Sequence, residues 1–489
     1  MMVGMGEDKP ETRTTVTVSP AATVQPAPPP VRPKTLSQQM LPAVHGLLAR
    51  PLSSYYLLIA SSVLLLVIGL TMVFSATSVM AYAEKGSAFG AVRNQLVFAV
   101  LGLVGFWICQ RLPAGTLRFL GVYVLGAAVV LLGLLDFLMA LKAVEILKEP
   151  TLGPLHAELL WLYIGPVGIQ PSELAKLGVV LWGADVIARK GASLGYWREL
   201  SMPLFPVIGL MFVLVGYNDL GTMLVLLALI IGLLWAAGVR LRVFAALGVL
   251  GLAGIGLLIA AASRGAGSGT EGEPNYRLQR LTTFLTSPEK CDFDLCYQIL
   301  QGRSAIYEGG WFGVGLGKGA LKWNWLPAAD NDFIFAVVAE ELGVVGCMVI
   351  VALFAVLAYT GFRIARRVED PFRRLAATGI TTWLVAQAVI NIGGVVGLLP
   401  ITGLPLPFIS AGGSALVVTM AGVGILASFA RAEPEAARAL HARPPSRWVR
   451  LVWAPLPPLP PPRRPGPSRP SARKAGNRAS ADKGGVGRR

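Results

Sequence analysis

Hydrophobic residues in this chain neither alternate nor recur at a helical period. They come in runs of about twenty, broken by short polar stretches. The runs lie at about 54–77, 95–109, 119–141, 171–188, 203–217, 222–238, 244–263, 333–361, 376–397 and 409–430, and they predict about ten membrane-spanning helices in an all-α polytopic protein. The first run begins too far from the start and is too long for a cleaved leader, so it reads as a signal-anchor helix. Residues 1–53 and 431–489 are Pro-rich and lack such runs, which predicts disordered arms on either side of a membrane domain at 54–430.

Charge orients these spans. With the N-terminus in the cytoplasm, the short inner loops hold Arg111, Arg118, Arg189, Lys190, Arg198, Arg240, Arg242, Arg363, Arg366, Arg367, Arg373 and Arg374. The short outer loops hold only Lys85, Arg93, Lys142 and Lys148. That asymmetry predicts both ends inside and one large extracellular loop, 264–331, between spans seven and eight. A loop of that length with balanced charge and many aromatic residues is expected to be functional.

At 54% hydrophobic and 14% charged the chain is not an ordinary soluble protein. Of the net charge of +16, the segment from Arg431 onward carries +11, fourteen Lys/Arg against three acids. Beside a membrane such a tail suits anionic lipid or an acidic protein, and nothing in the chain resembles a nucleic-acid fold. Four cysteines without a Cys-x-x-Cys, and three scattered histidines (His45, His156 and His441), form no readable metal cluster. Cys291 and Cys296 lie in the outer loop, on the oxidising side, close enough in sequence for a local disulfide beside Tyr297-Gln298. The glycine run 309–319 follows no predicted strand, so it is not a nucleotide loop. Its glycines are expected to let the backbone approach a substrate or fold tightly over the membrane surface.

The candidate chemistry centres on 322–346, KWNWLPAADNDFIFAVVAEELGVVG. Asp330, Asp332, Glu340 and Glu341 are costly at the mouth and in the first turns of a membrane helix. Capping by Asn331 or Asp332 explains one acidic position at most. Arg277, Arg280 and Lys322 suit a pyrophosphate group, and equally suit headgroup anchoring or a salt bridge to Glu271 or Glu273. Glu173 and Lys176, three apart after Gln170-Pro171, either pair on a helix face or line a polar cavity. Asp219 sits where turn chemistry alone accounts for it. The segment 400–414, PITGLPLPFISAGGS, with Ser410 and Ser414, is too broken for a plain helix and predicts a re-entrant pocket wall.

Taken together, LP-x-x-x-NDFIFA-x-x-x-EELG-x-x-G, the Phe74-Ser75-Ala76-Thr77-Ser78 block, QPSE-x-x-K, Asp219-Leu220-Gly221 and Gly412-Gly413-Ser414 resemble the FtsW/RodA (SEDS) family, over about 54–430. The resemblance implies a ten-helix SEDS fold and a glycosyltransferase that joins lipid II into glycan strands, releasing undecaprenyl pyrophosphate. It implies a catalytic carboxylate at Asp332, with Arg277, Arg280, Lys322, Glu173, Lys176, Asp219, Gln298, Glu340, Ser410 and Ser414 as substrate-binding candidates. It further implies a class B penicillin-binding protein and other division proteins as partners, at the septum. Tyr297-Gln298 and the block from Lys322 to Asp332 look most like actinobacterial FtsW. Pro405 resembles the elongation branch, RodA, and Thr402, Asp330 and Asn218 depart from the usual Lys, His and Pro.

In this mechanism a carboxylate takes the proton from the attacking sugar 4-hydroxyl. Positive charge, from basic side chains or a divalent cation (magnesium or manganese), stabilises the leaving pyrophosphate. The competing classes are a lipid II transporter, which more naturally carries paired broken helices, and a scaffold without activity.

Overall fold

The computed structural model describes residues 50–86, 90–144, 150–158, 160–165, 167–191, 202–216, 219–246, 293–320 and 329–460, with a few isolated positions. The expected N-terminal arm, most of the seventh expected span and the first part of the outer loop lie outside these residues. The membrane helices and the strands belong to one compact unit, Arg50–Arg489.

The apolar runs fold as α1 (Ser53–Lys85), α2 (Gly90–Cys109), α3 (Ala114–Ala143), α4 (Pro171–Lys190), α5 (Leu204–Gly216), α6 (Leu220–Ala236), α8 (Ile334–Arg367), α9 (Pro371–Val395) and α10 (Gly413–Arg431). Among the described residues five stretches are long and apolar enough to cross a membrane: Ser53–Ser78, Ala114–Lys142, Ile334–Arg367, Pro371–Val395 and Gly413–Arg431. Helix α4 carries Glu173, Lys176 and Asp185 yet is among the most buried, because those side chains face protein. It packs on α3 and α9, while α10 packs on α2 and α8 on α1.

The all-α expectation fails between α3 and α4. There the chain forms a four-stranded antiparallel meander, β1 (Thr151–Leu152), β2 (Leu155–Glu158), β3 (Trp161–Ile164) and β4 (Val167–Ile169), in sequential order. Gly153 and Gly165 adopt φ of 59° and 60° at two of its turns, which glycine does without strain. Strands this short leave little periodicity to read.

A second unexpected element lies in the expected outer loop. Within it, α7 (Phe293–Gly309) packs along the first part of α8. Gly343, with φ 68° and ψ −167°, breaks α8. Around the break, Val314 and Gly315 N–H donate to the Glu340 and Glu341 carbonyls at 2.9 and 3.1 Å. Val344 and Val345 N–H donate to the Gly310 and Trp311 carbonyls at 3.0 and 3.2 Å. The glycine run therefore folds tightly, with its backbone against α8. A Cβ at Gly309 would lie 1.8 Å from the Ala339 carbonyl oxygen. Before the break, Ile334–Ala339 are buried. After it, Val344, Met348, Val351 and Tyr359 are exposed, as residues facing lipid would be.

The expected disordered tail does not begin at residue 431. Helices α11 (Pro434–Ala442) and α12 (Arg447–Val452) follow, and the chain is held onto the helix ends. Arg111 Nη1 donates to the Leu451 carbonyl at 2.6 Å, Trp453 Nε1 to the Tyr55 hydroxyl at 2.5 Å and Arg431 Nη2 to the Ala454 carbonyl at 3.3 Å. Buried Ala436 and Ala437, with Glu433 paired to Arg367 at 3.5 Å, supply the packing that composition alone hid. Burial pushes the Glu433 carboxyl above its ordinary range.

Candidate active site

Residues 400–412 form an irregular, largely buried segment, with Leu404, Leu406, Phe408, Ile409 and Ser410 nearly inaccessible. Backbone polar groups in such a place need partners, and α9 supplies them. Gln387 Nε2 donates to the Pro405 carbonyl at 2.9 Å. Asn391 Nδ2 donates to the Leu404 carbonyl at 2.7 Å and to the Asp332 carbonyl at 2.9 Å. Ser410 Oγ accepts from Leu406 N–H and donates to the Asn331 carbonyl, both at 2.7 Å. Ala411 N–H reaches the Asp330 carbonyl at 2.9 Å. The expected pocket wall is thereby fastened to the acidic start of α8. Phe408 holds a left-handed φ of 68°, a strain of roughly 1–2 kcal/mol for a residue with a Cβ, beside the Leu406–Ser410 bond.

Gln387 also joins α9 to α4. Lys176 Nζ and Glu173 Oε1 are 2.7 Å apart with both side chains fully buried. The ammonium also donates to Gln387 Oε1 at 2.7 Å and stands 5.4 Å from the centre of the Trp383 ring. Trp383 Nε1 donates to the same oxygen at 2.8 Å. One amide thus couples the Lys–Glu pair to the pocket wall. Glu173 Oε2 has no hydrogen-bond partner among the described residues, and a buried carboxylate oxygen left this way is a place for water or a ligand hydroxyl. Ser414 Oγ accepts from Gln170 N–H at 3.1 Å, tying α10 to the start of α4.

Asp332 is half-buried and precedes the helix cap, which falls on Phe333, whose side chain cannot accept a bond. The expected cap at Asn331 or Asp332 is corrected by that one position. Burial pushes the neighbouring Asp330 carboxyl above the usual carboxylate range. Asp219 is the cap of α6: its oxygens accept from Thr222 N–H at 2.8 Å and Thr222 Oγ1 at 2.6 Å. For it the structure shows turn chemistry. Glu340 Oε1 accepts from Ala320 N–H at 2.5 Å, and both Glu341 oxygens lie within 2.8 Å of Ser75 Oγ, so these two acids hold the end of the glycine-rich segment and α1 onto α8. Gln298 lies half-buried on α7. Arg277, Arg280, Lys322 and Cys291, and the side chain of Cys296, lie outside the described residues, and with them the expected cationic pocket and disulfide.

Sequence reasoning missed Trp383, Gln387 and Asn391. The signal was there: polar groups four apart on one face of an apolar span are expensive unless used.

Fold and cluster together define a polytopic membrane protein with a polar site enclosed among its helices, at the end where α8 begins. The chain belongs to the FtsW/RodA/SpoVE family of cell cycle proteins, whose model matches residues 55–435. It is 40% identical over 412 residues to a probable peptidoglycan glycosyltransferase FtsW of Mycobacterium tuberculosis, covering 84% of this chain and 74% of that one. It is 33% identical over 378 residues to stage V sporulation protein E of Bacillus subtilis, covering 77% and 96%. Among solved structures, a chain from a study of polymerization and crosslinking by a peptidoglycan synthase complex superposes with a TM-score of 0.58 at 25% identity, covering 76% and 96%. The rod shape determining protein RodA of Thermus thermophilus gives 0.51 at 24%, covering 77% and 96%, and supports the fold.

Proposed function

We propose that this protein is a peptidoglycan glycosyltransferase that polymerises lipid II on the outer face of the cytoplasmic membrane during cell division. The observation that carries this reading is Asp332, half-buried and held through its backbone by Asn391, which lies one turn along α9 from the Gln387 bonded to Lys176. The relatives named as peptidoglycan glycosyltransferases set the reaction class. Asp332 takes the proton from the attacking 4-hydroxyl, and the new bond forms as undecaprenyl pyrophosphate leaves. Arg277, Arg280 and Lys322 bind the pyrophosphate, and Glu173, Ser410 and Ser414 shape the acceptor side.

Among the described residues no three His, Cys, Asp or Glu side chains come together. Among the described residues, a magnesium or manganese ion fits where Asp332 or Asp330 would contribute a carboxylate and substrate phosphates would complete the shell. Such an ion would add positive charge at the leaving pyrophosphate. The decisive comparison is lipid II polymerisation by Asp332→Asn, checked for folding, with a class B penicillin-binding protein present. Loss of a general base reduces the rate by about 10² to 10⁴; unchanged glycan synthesis in a folded variant ends this reading.

Ten spans with both ends in the cytoplasm and 264–331 outside complete the proposal. A cysteine placed near Ser268 should react with an impermeant thiol reagent from outside, and one near Ala472 should not; labelling of both from one side overturns this topology. The chain named in the synthase-complex study supports a penicillin-binding partner, and the FtsW relatives support action at the septum. The break at Gly343 does not favour a transporter, since the glycine run fills it rather than a cavity.

A further inference from the structure

The meander before α4 has two different faces. Ala157 and Leu162 turn toward α3 and close an apolar cluster with Leu135 and Leu138. By the period of two along each strand, and by the pairs His156↔Tyr163, Glu158↔Trp161 and Tyr163↔Gly168, the opposite face carries His156, Glu158, Trp161, Tyr163 and Gly168.

The three rings on this face form a strip. His156 and Tyr163 have centroids 6.1 Å apart at 39°, and Trp161 and Tyr163 are 6.5 Å apart at 29°. Phe372 and Phe429, packed in the interior, meet edge to face at 80° instead. Gly168 explains the difference. A Cβ built there would lie 2.8 Å from the Tyr163 ring and 3.3 Å from the Trp161 ring. Both rings therefore lie down across the glycine rather than standing off the sheet, and remain half-buried, with Glu158 exposed beside them.

A flat aromatic strip with a carboxylate and an imidazole at its edge has the chemistry of a saccharide site. The apolar C–H face of a pyranose covers an aromatic face, and its hydroxyls find charged and neutral hydrogen-bond partners. A membrane-interface belt needs the rings but gains nothing from an exposed carboxylate among them. The strip's position suits a glycan. Strand β4 runs into Gln170, whose N–H is bonded to Ser414, and Glu173 follows in the first turn of α4. It thus stands at the same end of the protein as Asp332.

We propose that this face of the meander is a glycan platform, on which sugar rings of the strand rest beside the site of transfer. The identity of the glycan rests on the proposed lipid II polymerase; the saccharide-binding chemistry does not. The test uses the full chain in nanodiscs and, as probe, the β-1,4-linked tetramer of N-acetylglucosamine, with binding followed by saturation-transfer NMR. Wild type should bind saturably. Trp161→Ala and Tyr163→Ala should each bind about five-fold more weakly, the usual size of one lost aromatic contact, and Trp161→Phe should recover most of it. Glu158→Gln, at an exposed position that folding tolerates, should also weaken binding. With lipid II and the partner supplied, the Ala variants should yield shorter glycan strands on gels.

Absence of tetramer binding by wild type, or folded Ala and Gln variants with unchanged affinity and strand length, overturns the platform. Shorter glycan strands from variants whose tetramer affinity is unchanged also overturn it, in favour of membrane anchoring. If Asp332→Asn abolishes synthesis while these variants behave as wild type, the platform fails and the polymerase stands. If the tetramer binds through these residues in a protein that polymerises nothing, the platform stands without the polymerase.

Discussion

Replacing Gln387 with Leu tests whether one amide holds the site together. The side chain is 1% exposed and makes three bonds: to the Pro405 carbonyl at 2.9 Å, from Lys176 at 2.7 Å and from Trp383 at 2.8 Å. Leu has nearly the same volume, so packing changes little and the stranded groups decide the outcome. A stranded neutral group costs about 1–3 kcal/mol and a charged one more, which sums to roughly 4–8 kcal/mol for a rigid site. Two effects reduce that sum. Lys176 keeps Glu173 at 2.7 Å, and in membrane proteins the unfolded chain also finds partners, so that single bonds there average about 0.6 kcal/mol. We expect a loss of about 2–4 kcal/mol, toward the lower sum because Pro405 lies in a strained, irregular segment that can relax. Equilibrium unfolding in mixed SDS–detergent micelles reads the stability, and lipid II turnover reads the site. Because Gln387 spans the pocket wall and the Lys–Glu pair, turnover should fall more than stability explains at the assay temperature. A Gln387→Leu protein within about 0.5 kcal/mol of wild type, with normal turnover, would refute the coupling.

Gly309→Ala places a methyl group 1.8 Å from the Ala339 carbonyl oxygen, so the glycine run should undock from α8. Losing four backbone bonds at about 0.5–1.5 kcal/mol each should appear as faster hydrogen exchange over 309–320, and unchanged protection contradicts the docking. Truncation after Pro460 should leave thermal stability and polymerisation intact. Truncation at Pro434 removes the bonds to Tyr55, Arg111 and Arg431 and should lower the unfolding temperature measurably; equal stability of the two would show that the strap contributes nothing.

Most of the helical architecture was legible because lipid demands long unbroken apolar runs, and nine of the expected spans coincide with helices among the described residues. What escaped had weaker signatures. The alternation in Leu155-His156-Ala157-Glu158 and Trp161-Leu162-Tyr163-Ile164 was present, but four residues of period two do not stand out beside twenty apolar ones. The re-entrant wall was readable from its prolines and glycines, whereas the side chains that hold it were not. Gln387 and Asn391 look like tolerated polar residues until the carbonyls of Leu404 and Pro405 are found beside them. The tail misled because its prolines dominate the composition while Trp453 decides its packing.

The break at Gly343 makes α8 and the glycine run depend on each other. In an uninterrupted helix, Val344 and Val345 would donate to the Glu340 and Glu341 carbonyls, four residues back. Here those two bonds are exchanged for four with the glycine run. The four groups at the break are therefore paired, as backbone buried among helices must be, but every one of their partners lies outside α8. The stretch of α8 below Asp332 is thus a helix whose backbone is completed by a neighbouring segment.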